Sequence, residues 1–400
     1  TASLASAQGT LTLDDALRIS LERQPALTAY SRIAQAFEQA AVAAEQLPDP
    51  SIRAVIQNLP VTGADAFSLD ADFMTMRSIG IGREQVRRAR RRAESARLLA
   101  QGEVALAEQL LLARRIQREV LLAWIHVLHG QHKQALLADL IERLEARLRT
   151  AEANIPTGQA TSADAVAIRA EIAAARADLE EALGDEAVGR AELARWIGDA
   201  ADRPLAGGLP ICRPPERGQA IAFVQEHPQL GVARRQNIVA ERAVDVARAE
   251  RQPTWGWSVM YGNRGGGRSD MLTFEVSIDL PLNRSRLQDR RIAEAGELAA
   301  AARDRSEDVR RELLAQFDRA AAQVLAAEAR YRTTAMQTLP ALRAAEQALE
   351  ARLAGGGGTL ESVLAARERT TRVSLELLEQ QAAVAIASAD LLFYIEECAP

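Results

Sequence analysis

Gln24-Pro25-Ala26-Leu27 returns 203 residues later as His227-Pro228-Gln229-Leu230, and the two copies sit in the same surroundings. Each follows a short apolar helix pattern, Ala16, Leu17 and Leu21 in one case, Ala220, Ile221 and Val224 in the other. Each opens an Ala- and Glu-rich helical stretch, 29–46 and 232–251, that ends on proline: Pro48-Asp49-Pro50 or Pro253. Proline cannot continue a helix and pushes its predecessor to extended geometry. A long-period repeat of this kind marks a chain written twice.

Working outward, two extended segments follow in each half. The first pair is Ser51–Asn58 and Ala71–Gly82, joined through Pro60 and Gly63; the second is Thr254–Gly262 and Met271–Leu282, joined by 263–270. In the last segment Leu272, Phe274, Val276, Ile278 and Leu280 alternate with Thr273, Glu275, Ser277 and Asp279. Trp255, Trp257, Val259 and Tyr261 alternate likewise. A period of two predicts strands with one apolar and one wet face. Arg77 and two glycines interrupt 71–82, the least regular of the four.

An arginine burst and a long helical region come next. No proline occurs from Gln85 to Thr150. Leu106, Leu110, Ala113, Ile116, Val120, Ala123 and Val127 form a three-four seam that Leu137, Ile141, Leu144 and Leu148 continue. At 1.5 Å per residue such a helix reaches roughly 100 Å. A tip at 154–158 turns the chain into a returning helix through Ile168, Ile172 and Leu179 to Trp196. The second half repeats this with a helix from about Leu287, an interruption near Pro340, a tip at Gly355–Gly358 and a return helix from Glu361 to Phe393.

Composition agrees with long helices, because aromatics are only 4% of the chain while Ala, Leu, Arg and Glu dominate. The net charge of -5 calls for no nucleic-acid partner. Cys212 and Cys398 have no metal spacing, and their pairing depends on the fold. No run of 18 apolar residues is present, which leaves a β-barrel as the way into a membrane. Thr1 begins a polar lead of the kind a processed or trimmed chain has. No GxSxG, HExxH or phosphate loop supports catalysis or a cofactor.

Two hairpins make four strands, too few to close a barrel, and open edges are not viable in a bilayer. Three chains of four strands give a closed twelve-stranded barrel with its polar face inward.

On these marks the chain resembles the TolC-like outer membrane factor family over about Leu11 to Glu396. The resemblance rests on Leu13-x-x-Ala16-Leu17…Gln24-Pro25-Ala26-Leu27 and its repeat at 220–230, and on Gly158-x5-Asp164 with Ala165-Val166. Gly358-Thr-Leu-Glu-Ser-Val-Leu364 and Glu192-Leu-Ala-Arg-Trp-Ile-Gly198 before Pro204-Leu205 add to it. The Arg-rich, short-looped pattern is most similar to the cation-efflux branch typified by CzcC and CusC. The resemblance implies a mostly α chain with a small β part: long coiled-coil hairpins plus four strands per protomer of a trimeric β-barrel. It implies a homotrimer in the bacterial outer membrane and its lipid, reaching into the periplasm. Its partners would be a periplasmic adaptor and an inner-membrane RND-type transporter. The lipidated cysteine of many relatives has no counterpart near Thr1, so no acyl anchor is expected. The parts would be an N-terminal segment and helix (1–50), a first β-hairpin (51–82), a first helical hairpin (83–200, tip 154–164) and an equatorial linker with the repeat helix (201–253). The second β-hairpin (254–282) and second helical hairpin with the C-terminal equatorial part (283–400, tip 354–362) complete it.

Function is then expected at four places. The tips Gly158, Asp164, Gly358 and Glu361 would gate the duct with an acidic ring that favours cations; Asp164 can equally cap the returning helix. Glu275 and Asp279 would line the barrel lumen, or merely be solvated. Arg87, Arg88, Arg91, Arg284, Arg286 and Arg290, in two bursts after the second strand of each hairpin, would form a belt at lipid phosphates, or a solvated face. His126, His129 and His132 share i, i+3, i+6 spacing and are weak candidates for a metal set, which Gly130 and the lack of a carboxylate weigh against. The rival readings are a periplasmic adaptor, which carries one hairpin inside β domains, and a soluble coiled-coil scaffold, which leaves the alternating strands unexplained.

Overall fold

A computed structural model describes residues 9–22, 24–158 and 160–395. In chain order the elements are β1 (Leu11–Thr12), α1 (Leu13–Leu21), α2 (Pro25–Ala44), β2 (Ser51–Gln57), β3 (Met76–Gln85) and α3 (Arg88–Asn154). Then come α4 (Ser162–Ile197), β4 (Leu205–Ala206), α5 (Arg217–Glu226), α6 (Pro228–Ala249), β5 (Trp255–Asn263) and β6 (Met271–Ile278). The chain closes with α7 (Gln288–Thr333), α8 (Leu339–Ala354) and α9 (Leu360–Leu392). The duplicated order read from sequence is therefore present: two helices, a strand pair and a helical hairpin, twice.

The chain divides into two compact units. One unit, residues 29–109 and 231–309, holds an antiparallel sheet of order β2-β3-β5-β6. Its hairpins join through β3 and β5, whose register runs from Arg77 opposite Asn263 to Gln85 opposite Trp255. Among the described residues the sheet has two unpaired edges, β2 and β6. β3 begins five residues later than the sequence suggests and runs three further. Residues 58–75 instead fold into a turn-rich loop, with the Phe67 N–H bonded to Pro60 O (2.7 Å) and Asp72 Oδ1 accepting from the Met74 N–H (2.6 Å). β6 stops at Ile278, before Pro281, which has no N–H to continue a ladder.

The other unit, residues 9–28, 110–230 and 310–395 as described, is helical, with the two-residue parallel pair β1–β4 that the sequence did not announce. Its main core packs Leu11, Ile116, Val120, Trp124, Leu193 and Ile197. Burying each such side chain is worth about 1.5–3 kcal/mol. Toward the tips Leu137, Leu140, Leu144 and Ala151 of α3 meet Ile168, Ile172 and Ala175 of α4. The expected seam of α3 holds at Ile116, Val120, Ala123 and Val127, but Leu106 and Leu110, on its early part, are exposed. A straight helix turns its apolar stripe away from a fixed partner by about 20° per heptad. Cys212 is buried beside Phe317 and Leu391; Cys398 lies outside the described residues.

Near Pro340 the helix is not broken. A π-helical turn, Thr334–Thr338, joins α7 to α8. Proline lacks the N–H for an i→i−4 bond and its ring clashes with that carbonyl, and a wider turn accommodates both.

Candidate functional site

Strand register assigns each side chain of the sheet to a face. One face carries Ser51, Arg53, Ser258, Thr273, Glu275 and Ser277; the other carries Ile52, Ile56, Ile79, Ile81, Tyr261 and Phe274. On the apolar face Phe274 is 72% and Val276 65% exposed. An exposed apolar patch of that kind marks a membrane or protein contact. On the polar face Ser258 Oγ donates to Glu275 Oε2 (3.1 Å), and the Asp279 N–H bonds to Thr254 O (2.9 Å). Glu275 and Asp279, with Arg53, Glu84 and Ser258, line a groove of about 420 Å³.

The arginine bursts divide in two. Arg83 Nε donates to Pro48 O (2.8 Å), and Arg91 donates to Glu45 O, both just past the C-terminal end of α2. Arg87 Nε donates to Pro253 O (2.8 Å) and Arg90 pairs with Glu250 (3.1 Å), at the matching place after α6. These four therefore bond the segments that follow α2 and α6, where helix carbonyls lack intrahelical partners. Arg87 and Arg91, expected on a lipid belt, are so engaged. Arg88, Arg284, Arg286 and Arg290 are exposed.

At the first tip Gly158 takes φ +73, a left-handed conformation suited to glycine. Thr161 Oγ1 accepts from the Asp164 N–H (3.2 Å), and Asp164 Oδ2 accepts from the Thr161 N–H (2.8 Å). This is a capping box that starts α4. The Thr161 backbone and hydroxyl bonds hold the Asp164 carboxyl below its usual range.

The second tip is made differently. Gly356, not Gly358, is the left-handed residue (φ +78), and the Gly356 N–H bonds to Leu353 O (3.0 Å) to close α8. Gly358 is crowded, since a Cβ there would lie 3.0 Å from Leu353 N. Thr359 caps α9, accepting from the Ser362 N–H (3.2 Å). Glu361, expected on an acidic rim, is bound by Arg147 Nε of α3 at 2.7 Å. The same guanidinium reaches Glu368 of α9 (2.7 Å) and Glu171 of α4 (3.8 Å), and Arg372 bridges Glu171 (3.2 Å) and Glu368 (2.9 Å). Sequence reasoning missed Arg147, because three helices must pack before its partners meet. Burial works against its charge, but the bonds to Glu361 and Glu368 outweigh it and raise its pKa.

The three histidines do not converge. His126 faces Glu192 of α4 (3.6 Å), His129 faces Glu379 of α9 (3.2 Å, not aligned for a hydrogen bond), and His132 is exposed. Burial pushes the His129 pKa down. No three His, Cys, Asp or Glu among the described residues are grouped to hold a metal.

Residues 222–395 match the family model for outer membrane efflux proteins. Among solved structures the chain is similar to a membrane protein from Pseudomonas aeruginosa (15% identity, TM-score 0.76, covering 96% of this chain and 93% of that one). It is also similar to the outer membrane protein VceC from Vibrio cholerae (17%, 0.72, 95% and 95%) and to CusC (14%, 0.74, 98% and 94%). No curated protein matches it. Along nearly its whole length the chain has the fold of these membrane proteins, and residues 222–395 carry the sequence pattern of the outer membrane efflux proteins.

Proposed function

We propose that this chain is one protomer of the outer-membrane channel of a tripartite efflux pump, in which three copies form a passive exit duct. The observation that carries the reading is the four-stranded sheet with two unpaired edges and one exposed apolar face. Closure by threefold repetition satisfies the edges, sets Phe274 and Val276 against lipid, and turns Glu275 and Asp279 to the lumen. The helical hairpins would cross the periplasm to an adaptor and an RND-type transporter, with the tips as gate. Asp164, ionised and fixed in its capping box, supplies the acidic ring, while Glu361 works through its bond to Arg147. Arg88, Arg284, Arg286 and Arg290 suit lipid phosphates. A cation cargo is supported by the luminal carboxylates, not by the likeness to CusC, which is no closer than that to the Pseudomonas protein.

Mass measurement in detergent, followed by single-channel recording in planar bilayers, tests this. A trimer that conducts, with cation preference reduced by Glu275→Gln and Asp279→Asn, supports it. A detergent-free soluble monomer would overturn it and favour an adaptor or a scaffold.

A further inference from the structure

Cys212 is fully buried, and it is disulfide-bonded. It lies in the linker between β4 and α5, where Pro210, Pro214 and Pro215 restrict the backbone around it. Its N–H donates to Ser388 Oγ of α9 (3.0 Å), and that hydroxyl donates in turn to Val384 O (2.7 Å). Ala220 of α5, Phe317 of α7, Leu391 of α9 and Ile395 just past α9 share its cluster. A buried thiol alone would be a small apolar side chain with no further role. A bonded sulfur needs a partner.

The chain holds one other cysteine, Cys398. It follows Ile395 by three residues, and Ile395, 1% exposed, already packs in the cluster around Cys212. Three residues span at most about 11 Å, enough to bring two Cα atoms to the roughly 4.4–6.8 Å of bonded cysteines. We infer that Cys212 pairs with Cys398 of the same chain, and that this disulfide clamps the end of α9 to the linker between the two repeats. The bond closes residues 212–398 into one covalent ring that contains α5 to α9, the whole of the second repeat. A ring this long removes more freedom from the unfolded chain than a short one does. Residues 1–211 contain no cysteine, so the clamp belongs to the second repeat alone.

Forming the bond takes an oxidant, and a disulfide donor of the periplasm supplies it. One cysteine thiolate attacks a donor sulfur and displaces the first donor thiolate. The other then attacks the mixed disulfide and displaces the second. The donor takes up the two electrons that the cysteines give, and the two cysteine protons end on the donor dithiol. Because Cys212 is sealed from solvent in the folded chain, the exchange precedes the docking of the α9 end. The finished bond is shielded from reductants for the same reason, and disulfides persist in such oxidising compartments. The donor's compartment rests on the outer-membrane reading; the pairing of the two sulfurs does not.

The test uses the full-length protein extracted in detergent, denatured with iodoacetamide in the absence of reductant, and digested with trypsin. Arg203 and Arg213 precede proline and resist cleavage, so Cys212 falls in peptide 196–217 and Cys398 in peptide 373–400. Mass spectrometry should find the two peptides as one linked species with neither cysteine alkylated, and reduction should separate them. The denatured, unreduced chain should run as a monomer. Two alkylated cysteines before reduction, or chains linked to one another, would overturn the pairing. Cys398→Ala removes the bond while keeping the Cys212 side chain in its cluster, and should lower the melting temperature by about 5 °C or more. A variant that melts as the wild type does would overturn the clamp. Bilayer recording separates the two readings: a conducting protein with both cysteines alkylated refutes the disulfide and leaves the channel standing, and a linked but soluble monomer does the reverse.

Discussion

His227 Nε2 donates to the Phe393 carbonyl oxygen at 3.0 Å, the place that Gln24 Nε2 fills against the Trp196 carbonyl (3.2 Å) in the first repeat. The residue before each repeat proline thus ties the start of α2 or α6 to the far end of a return helix, α4 or α9. His227 also accepts the Gln229 N–H on Nδ1 (3.2 Å), so the neutral ring is matched on both nitrogens. Phe393 packs edge-on against it and Tyr394 stacks on it.

That arrangement predicts an acid-sensitive joint. Burial depresses the His227 pKa below its ordinary 6.5. Between the folded and unfolded pKa the unfolded chain binds more protons, so this contribution to stability is full above pH 6.5 and is lost as pH falls toward the folded value. Thermal melts by circular dichroism should show a drop from pH 7.5 to pH 5. His227→Gln should flatten that dependence while keeping the bond, as Gln24 does. His227→Ala should cost about 1–3 kcal/mol at neutral pH, leaving the Phe393 carbonyl unmatched.

Arg147 is the hub that ties α3, α4 and α9 near the tips. Arg147→Ala leaves Glu368, with a side chain 12% exposed, to Arg372 alone. We expect a loss of about 1–3 kcal/mol and a higher closed-state conductance in bilayers. Glu361→Gln should give the same direction with a smaller effect. An unchanged closed state in both would remove the ion network from the gate.

At the first tip the capping box lets helix support be tested apart from the proposed gating. Thr161→Ala removes the N-cap and should cost about 1 kcal/mol of helix stability, read by hydrogen exchange at the start of α4. Asp164→Asn should lower cation selectivity in single-channel recordings. Because Thr161 holds the Asp164 pKa down, stability from its charge is present above pH 3.8 and is lost as pH falls through the folded value.

The arginines should sort by what they touch. Arg83→Gln and Arg91→Gln should lower the melting temperature, since each leaves backbone carbonyls after α2 unmatched. Neutralising Arg284, Arg286 and Arg290 together should leave it unchanged. That triple variant should weaken binding to anionic lipid vesicles, by about 1 kcal/mol per residue.

The amino-acid order by itself determined the duplication, the four strands and the lengths of the hairpins. These are local matters: proline stops a helix wherever it stands, period-two alternation fixes a strand's faces, and three-four spacing fixes a helix's. Gln24 and His227 were visible as a repeat before their shared bond was known. Tertiary structure decided which of several locally equivalent partners each polar group takes. Arg87 and Arg91 read as free basic residues until the segments after α2 and α6 brought carbonyls to them. His126 and His129, three residues apart on one helix, turn to carboxylates on different helices. Asp164 and Glu361 looked alike at two tips, yet one is matched within its own turn and the other by a guanidinium 214 positions away in sequence. The physical reason is range: backbone preference acts over a few residues, whereas the energy of an ion pair or a buried hydroxyl depends on what packing brings within about 3 Å.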